Sequence, residues 1–167
     1  MSSTYSPLLK IELIGTGDQS GTWGNTTNTN LGTLIEQSIA AAALIDVSAG
    51  DVTLTATSGA ANEARCMTLN VTGTPGTARS IITPTYLAPA YGGEAGKLYV
   101  VINSSDSDVT IKTAISTGIT VPAGEVYLVA FDGNTEDYTL VGRAASSSNE
   151  ANTLVLRDGS GNFAAGT

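Results

Sequence analysis

Short runs of alternating apolar and polar residues occupy most of the sequence after residue 50. Val52 and Leu54 alternate with Thr53 and Thr55, and the same period of two returns in residues 67–72. Successive side chains of a strand point to opposite faces, so each run predicts a half-buried β-strand. Many short strands separated by turn residues predict a mainly β fold, an antiparallel β-sandwich or jelly-roll-like domain. Further predicted strands are residues 78–83, 98–103, 109–113, 125–132 and 138–141.

Two of these runs are apolar almost throughout. Residues 98–102 read Leu-Tyr-Val-Val-Ile, and residues 126–131 read Val-Tyr-Leu-Val-Ala-Phe. A strand without alternation is covered on both faces. We therefore expect both to be central strands, covered by the predicted helix on one side and by a second sheet or a neighbouring subunit on the other.

The N-terminal residues follow a different pattern. Residues 8–14 alternate in polarity and predict a strand, and residues 15–29, rich in Gly, Thr and Asn, predict a loop. Asn28 or Asn30 can cap a helix that follows, and residues 33–36 fit a capping box. The helix is predicted from apolar residues at helical spacing, namely Leu31, Leu34, Ile35, Ile39 and Ala42.

The sequence divides into four segments. Residues 1–45 form an N-terminal segment with one helix, and residues 46–143 form the β-sandwich. Residues 144–151 are small and polar and predict a linker. Residues 152–167 predict a strand, a Gly-rich turn and a returning strand, which together make a β-hairpin.

Charge and composition argue against several functions. The chain has 167 residues, a net charge of −8 and seven scattered Lys and Arg, so nothing in it favours nucleic-acid binding. It contains no His, which removes the commonest general base and metal ligand. Its only cysteine, Cys66, has no such base to activate it. We therefore predict no enzyme activity, no catalytic residues, no cofactor and no metal site. The acidic segments Asp106–Asp108 and Asp158–Asn162 are interpreted as turns and not as metal sites.

No segment predicts a membrane span. The longest apolar run, residues 39–47, is interrupted by Asp46 and is too short to cross a bilayer. We predict a protein without membrane contact.

The N-terminal segment also carries a family resemblance. It contains Tyr-Ser-Pro-Leu-Leu-Lys-Ile-Glu-Leu, Gly-Asp-Gln-Ser-Gly-Thr-Trp-Gly, Asn-Thr-Asn-Leu and Leu-Ile-Glu-Gln-Ser-Ile-Ala between residues 5 and 40. These motifs resemble the N-terminal module of tail-fibre and tail-appendage structural proteins of tailed bacteriophages, chiefly marine (cyanophage-type) phages. Residues 97–103, 109–112, 121–125 and 131–134 resemble the β-rich module that follows it in those proteins, so the resemblance covers most of residues 5–141.

The resemblance implies a virion protein of the phage tail. It implies the virion-proximal part of a homotrimeric fibre, docked to other tail, baseplate or adaptor proteins. Residues 1–45 would attach or trimerise the fibre, and residues 152–167 would begin its shaft. Contact with the host receptor would lie beyond residue 167. The residues expected at the attachment or oligomerisation surface are Trp23, Leu31, Leu34, Ile35 and Ile39.

Two alternatives remain at the level of the sequence. The first is a carbohydrate-binding β-sandwich module acting as an adhesin, in which Trp23 and tyrosines such as Tyr86, Tyr91, Tyr99 and Tyr127 would stack on sugars. The second is a tail-tip or neck decoration protein with another symmetry. Host, receptor, docking partner and the choice between three-fold and six-fold symmetry are not encoded in any recognisable motif.

Overall fold

The computed structural model describes residues 2–6, 8–85 and 96–141, together with residues 145–146, 154–155, 160 and 162. The fold is mainly β, with 34% of residues in strands and 16% in helices, so the predicted fold class is confirmed at this level. None of the helices in these residues is long and apolar enough to cross a membrane.

A short hairpin opens the chain. Strands β1 (Thr4–Tyr5) and β2 (Glu12–Leu13) pair in antiparallel fashion. The continuous strand predicted for residues 8–14 is wrong, because residues 8–9 form a turn and Lys10 has a φ of +52°. A left-handed residue cannot continue a strand, and the alternation in this run therefore belongs largely to a turn.

The helical segment is longer than predicted. It runs through α1 (Trp23–Thr29), a π-helical stretch (Asn30–Ile35) and α2 (Glu36–Ala40). Trp23 thus begins the helix instead of lying in a loop, and the predicted cap Asn30 lies inside it. The sequence hides these turns because residues 24–29 are Gly, Asn and Thr, which have low intrinsic helix propensity.

Nine strands then form two sheets. The five-stranded sheet has the order β11-β10-β7-β5-β3, and the four-stranded sheet has the order β4-β6-β8-β9. The predicted segment boundary after residue 45 falls within the first of these strands. The strands are β3 (Ala42–Asp46), β4 (Val52–Thr53), β5 (Thr68–Thr72), β6 (Arg79–Ile82), β7 (Leu98–Asn103), β8 (Val109–Lys112), β9 (Ile119–Val121), β10 (Val126–Asp132) and β11 (Asp137–Leu140).

The chain passes alternately from one sheet to the other. β3, β5 and β7 are parallel neighbours in one sheet, and β4, β6 and β8 are parallel neighbours in the other. Within these two sheets, the antiparallel pairs among the described residues are β8–β9, β7–β10 and β10–β11. The predicted all-antiparallel arrangement is therefore wrong, and both sheets are mixed. The turns after β3, β5 and β7 carry the chain across to the opposite sheet.

The two sheets share one core. Alternate residues of the five-stranded sheet, such as Val71, Val101 and Val129, are buried in the same cluster as Ile81 and Ile111 of the four-stranded sheet. The rings of Tyr99, Phe131 and Tyr138 also belong to this cluster, with centroid distances of 6.2 Å (Tyr99–Tyr138) and 5.5 Å (Phe131–Tyr138). The second sheet thus covers one face of the apolar strands β7 and β10, as predicted. The predicted cover of their other face by the helix is wrong, since Leu98 and Val126 there are 45% and 55% exposed.

At the C-terminal side, β12 (Ala145–Ser146) pairs in parallel with β13 (Leu154–Val155). β12 lies in the predicted linker and β13 in the first strand of the predicted hairpin. The turn and most of the returning strand lie outside the described residues.

Candidate functional site

The helical segment is fixed to the N-terminal hairpin by the side chain of Asn30. Its Nδ2 donates to the Glu12 carbonyl oxygen at 2.7 Å, and its Oδ1 accepts from the Glu12 backbone N–H at 3.1 Å. Both backbone groups of one β2 residue are satisfied in this way, as a neighbouring strand would satisfy them. Asn30 therefore positions the helical segment, whereas the sequence suggested a cap.

Gln19 extends this connection. Its Nε2 donates to Glu12 Oε1 at 2.5 Å, and its Oε1 accepts a hydrogen bond from the hydroxyl of Thr26. The loop before the helix is thus linked at once to β2 and to α1.

The C-terminal part of the helical segment contacts the domain that the two sheets form. Gln37 Oε1 accepts from the backbone N–H of Asn62 at 3.3 Å, just before the 3₁₀ turn Glu63–Arg65. α2 leads into β3 through Ala41 alone. With contacts at both ends, the segment presents a defined surface.

The five residues predicted for attachment or oligomerisation divide into two groups. Trp23, Leu31 and Ile39 are 60%, 58% and 66% exposed. Leu34 is 0% exposed and Ile35 is half-buried, so Leu34 packs within its own chain. We refer to the surface that carries Trp23, Leu31 and Ile39 as the helical surface. Large apolar side chains at such exposure are candidates for contact with another molecule.

The helical surface carries little charge. Glu36 is the single charged residue between Trp23 and Ala40. Beside it, Gly32, Thr33, Ala40 and Ala41 help to line a shallow depression. Small side chains allow a neighbouring chain to approach closely.

A small cavity lies at the junction of the N-terminal segment and the core domain. Its volume is about 110 Å³, and its walls are mostly apolar, with Lys97 among them. Burial lowers the pKa of the Lys97 ammonium to about 8. Its Nζ donates to the carbonyl oxygens of Arg65 at 3.0 Å and Cys66 at 3.3 Å, and lies 4.7 Å from the centre of the Tyr99 ring. These contacts fasten β7 to the 3₁₀ turn, and a Lys preceding an apolar strand was the one signal for them in the sequence.

The acidic residues in the turn between β7 and β8 also form hydrogen bonds within the chain. Asp106 Oδ1 accepts from the Gly76 backbone N–H at 3.2 Å, and Asp108 Oδ1 accepts from that of Ala123 at 3.2 Å. Burial raises the pKa of the Cys66 thiol, which favours its protonated, weakly nucleophilic form. In the part of the chain that the structure describes, no group of three or more His, Cys, Asp or Glu side chains could hold a metal ion.

No family model, curated protein or solved structure matches this chain. The geometry and the residues themselves therefore carry the functional argument.

Proposed function

We propose that this chain is a phage virion structural protein, the virion-proximal part of a trimeric tail fibre that attaches the fibre to the tail. The observation that carries the proposal is the helical surface. Three large apolar side chains lie exposed on an element that hydrogen bonds connect to Gln19, to β2 and to Asn62. An exposed apolar surface on a rigid element suits permanent assembly.

The mechanism is assembly without chemistry. Burying apolar surface contributes roughly 25 cal/mol per Å², and a symmetric assembly repeats each contact in every copy. Trp23, Leu31 and Ile39 would lie in contacts with another copy or with a tail, baseplate or adaptor protein. Leu34 would act indirectly, by holding the helical segment against its own chain.

The particle tail is the proposed location. A fibre must remain folded outside the cell without disulfides, and the single Cys66 can form none within the chain. Two sheets with one shared core provide that stability by apolar burial alone. Residues 152–167 would begin the fibre shaft.

The native mass of the purified 167-residue chain tests the proposal. Multi-angle light scattering should give about 51 kDa, three times the chain mass of 16.9 kDa. A dimer or a hexamer would contradict the three-fold fibre and would favour a tail-tip or neck decoration protein. A folded monomer would contradict trimerisation by this part of the chain.

One observation favours a second candidate function, a carbohydrate-binding adhesin module. Trp23 is an exposed indole of the kind on which sugar rings stack. Tyr99, however, fills the core, so it cannot belong to a sugar-stacking platform. A glycan array would decide, because an attachment domain should bind no glycan specifically. Glycan binding that disappears in Trp23→Ala would establish the adhesin instead.

A further inference from the structure

We infer that the outer face of the five-stranded sheet, the face pointing away from the four-stranded sheet, is buried between copies of this chain. The inference rests on the proposed function, which makes the chain an oligomer, and it names the surface that joins the copies. It goes beyond the helical surface, because it assigns the contact to strands β3, β5, β7 and β10.

The strand register defines this face. Residues paired across neighbouring strands project to the same side of a sheet. The inward partners Ile45, Val71 and Val101 are buried in the core, so the residues between them point outward. One outward row is Leu44, Asn70, Ile102 and Val126, the next is Ala42, Thr68, Val100 and Leu128, and a third contains Leu98 and Ala130.

Aliphatic side chains dominate these rows. Leu44 is 71% exposed and Val126 is 55% exposed, and Leu98 is exposed as well. An antiparallel pair with one solvated face normally carries polar residues there. β7 and β10 instead place Leu, Val, Ile and Ala on both faces, although the four-stranded sheet covers only one of them.

The other sheet provides an internal comparison. Its outward rows contain Ser80, Thr110 and Thr120 in one line and Thr53, Ile82 and Lys112 in the next. The Thr110 and Thr120 hydroxyls bond to each other at 2.9 Å in solvent. The outer face of the four-stranded sheet is therefore largely polar, whereas the outer face of the five-stranded sheet has the aliphatic composition of a core.

Charge favours a second copy as the occupant. None of the ten residues in the three outward rows is charged, in a chain whose net charge is −8. Asp46 lies at one corner of the face, and Asp132 and Asp137 lie at the opposite corner. In a three-fold assembly the centres of three such faces can therefore meet at the axis without bringing like charges into the contact, whereas a strongly charged partner finds no opposite charge in the rows.

Area gives the second argument. Four strands about 4.8 Å apart and five residues of about 3.3 Å each make a face of roughly 300 Å². A stable interface needs about 800 Å² from each partner, so the contact must extend beyond the sheet. The helical surface is the next exposed apolar surface along the chain, since only five positions separate Ile39 from Leu44. Each neighbouring copy of a trimer brings both surfaces to the contact.

Charged substitutions at two sides of the face provide the test. Leu44→Glu lies on the edge strand β3 and Val126→Glu on β10, and both side chains are exposed in the single chain. The matched control is Ile115→Glu, which changes an exposed apolar residue in the turn after β8. Circular dichroism should show the same fold for all four proteins. Light scattering should then give three chains for the parent and for Ile115→Glu, and one chain for each sheet variant.

The outcomes separate this inference from the proposed function. A trimer that survives both sheet substitutions overturns the sheet contact and leaves the trimeric fibre standing. A parent dimer that both substitutions dissociate supports the sheet contact and contradicts the three-fold fibre. A parent monomer overturns the sheet contact, and the glycan array then decides between the two candidate functions.

A neutral pair of variants keeps the test valid if Glu disrupts the fold. Val126→Cys and Ile115→Cys each add one exposed thiol to a chain whose own Cys66 is buried. In the assembled protein, maleimide should label Val126→Cys at least about tenfold more slowly than Ile115→Cys, because burial hinders access to a thiol. Equal labelling rates in the assembled protein would overturn the inference.

Discussion

Asn103 shows how a single buried amide can join several crossings of the chain. Its Nδ2 donates to the carbonyl oxygens of Ser107 and Val121, both at 2.9 Å, and its Oδ1 accepts from the Ser105 N–H at 3.1 Å and hydroxyl at 2.7 Å. The side chain is almost fully buried, so no water can replace these partners easily. It therefore links the end of β7, the turn to β8 and the end of β9.

We predict that Asn103→Ala lowers the free energy of unfolding by about 2–4 kcal/mol, because buried polar groups lose their partners. Urea denaturation of the two proteins measures the difference. Ser104→Ala is the control, since the neighbouring Ser104 Oγ donates an exposed hydrogen bond to Asn70 Oδ1 at 3.3 Å. A loss below about 1 kcal/mol for Asn103→Ala would show that the turn does not depend on this amide.

Lys97 should make stability depend on pH in the alkaline range. Its pKa is about 8 in the folded chain because burial disfavours the ammonium, whereas an unfolded Lys titrates near 10.4. Between these values the unfolded chain binds more protons, so the free energy of unfolding rises as pH increases from about 8 to 10.4. Below about pH 8 both states are protonated, and this contribution no longer changes with pH.

Urea denaturation of the parent and of Lys97→Met, at pH 7 and at pH 9.5, checks this expectation. The parent should gain stability relative to the variant over that interval, by on the order of 1 kcal/mol once partial exposure is taken into account. A direct NMR titration of the three lysines should place Lys97 lowest. Equal slopes with pH in both proteins would contradict the assigned shift.

At the scale of elements, the β8–β9 hairpin depends on one glycine. Gly118 has a φ of +77°, and a Cβ there would lie 2.3 Å from the Ile111 carbonyl oxygen. Gly124, in the turn before β10, has a similar φ of +82° with open space around the corresponding position. An alanine at either position would therefore have the same backbone strain, and the two positions differ in their steric surroundings.

We expect Gly118→Ala to destabilise the fold by about 2 kcal/mol more than Gly124→Ala, since only the former also forces backbone atoms apart. Thermal unfolding of both variants measures the difference. If the two variants unfold at the same temperature, the close approach of Gly118 to β8 does not limit the hairpin.

The strands themselves were largely predictable, but their pairing was not. Period-two alternation identified β5, β6, β8 and β11, and continuous apolar runs identified β7 and β10, all to within one or two residues. Alternation reports burial of one face and contains no information on which strand is the neighbour. The turns at residues 73–78 and 104–108 have the same Gly, Pro and Asp composition as hairpin turns, yet they lead to the opposite sheet. β3 and β9 were missed, because an Ala-rich run and a three-residue run give no clear period.

The helical surface was predictable only in part. Helical spacing identified Leu31, Leu34, Ile35 and Ile39 correctly as helical residues, but it could not say which of them face the chain's own interior. The π-helical stretch changes the rotation per residue, so an ideal helical stripe does not describe the real face. Trp23 was singled out by its sequence context. Its place at the start of α1 was not predicted, because the Gly and Asn residues that follow it rarely indicate the beginning of a helix.

At the scale of the whole molecule, the chain combines a strongly negative charge with an uncharged apolar face, which is the proposed contact between copies. Three copies, each with a net charge of −8, repel one another at long range. The proposed contact contains no ion pairs that would offset this repulsion. Its strength should therefore respond to salt in the opposite direction from an interface held by salt bridges.

We predict that the proposed trimer becomes tighter as sodium chloride increases from 10 mM to 300 mM. The Debye length falls from about 30 Å to well under 10 Å over this range, which screens the repulsion and leaves apolar burial unchanged. Sedimentation equilibrium at several chain concentrations should show at least about a tenfold gain in the association constant, equivalent to roughly 1.4 kcal/mol. Dissociation on adding salt would mean that charged pairs hold the copies together, and the uncharged outer face of the five-stranded sheet would then not be the contact.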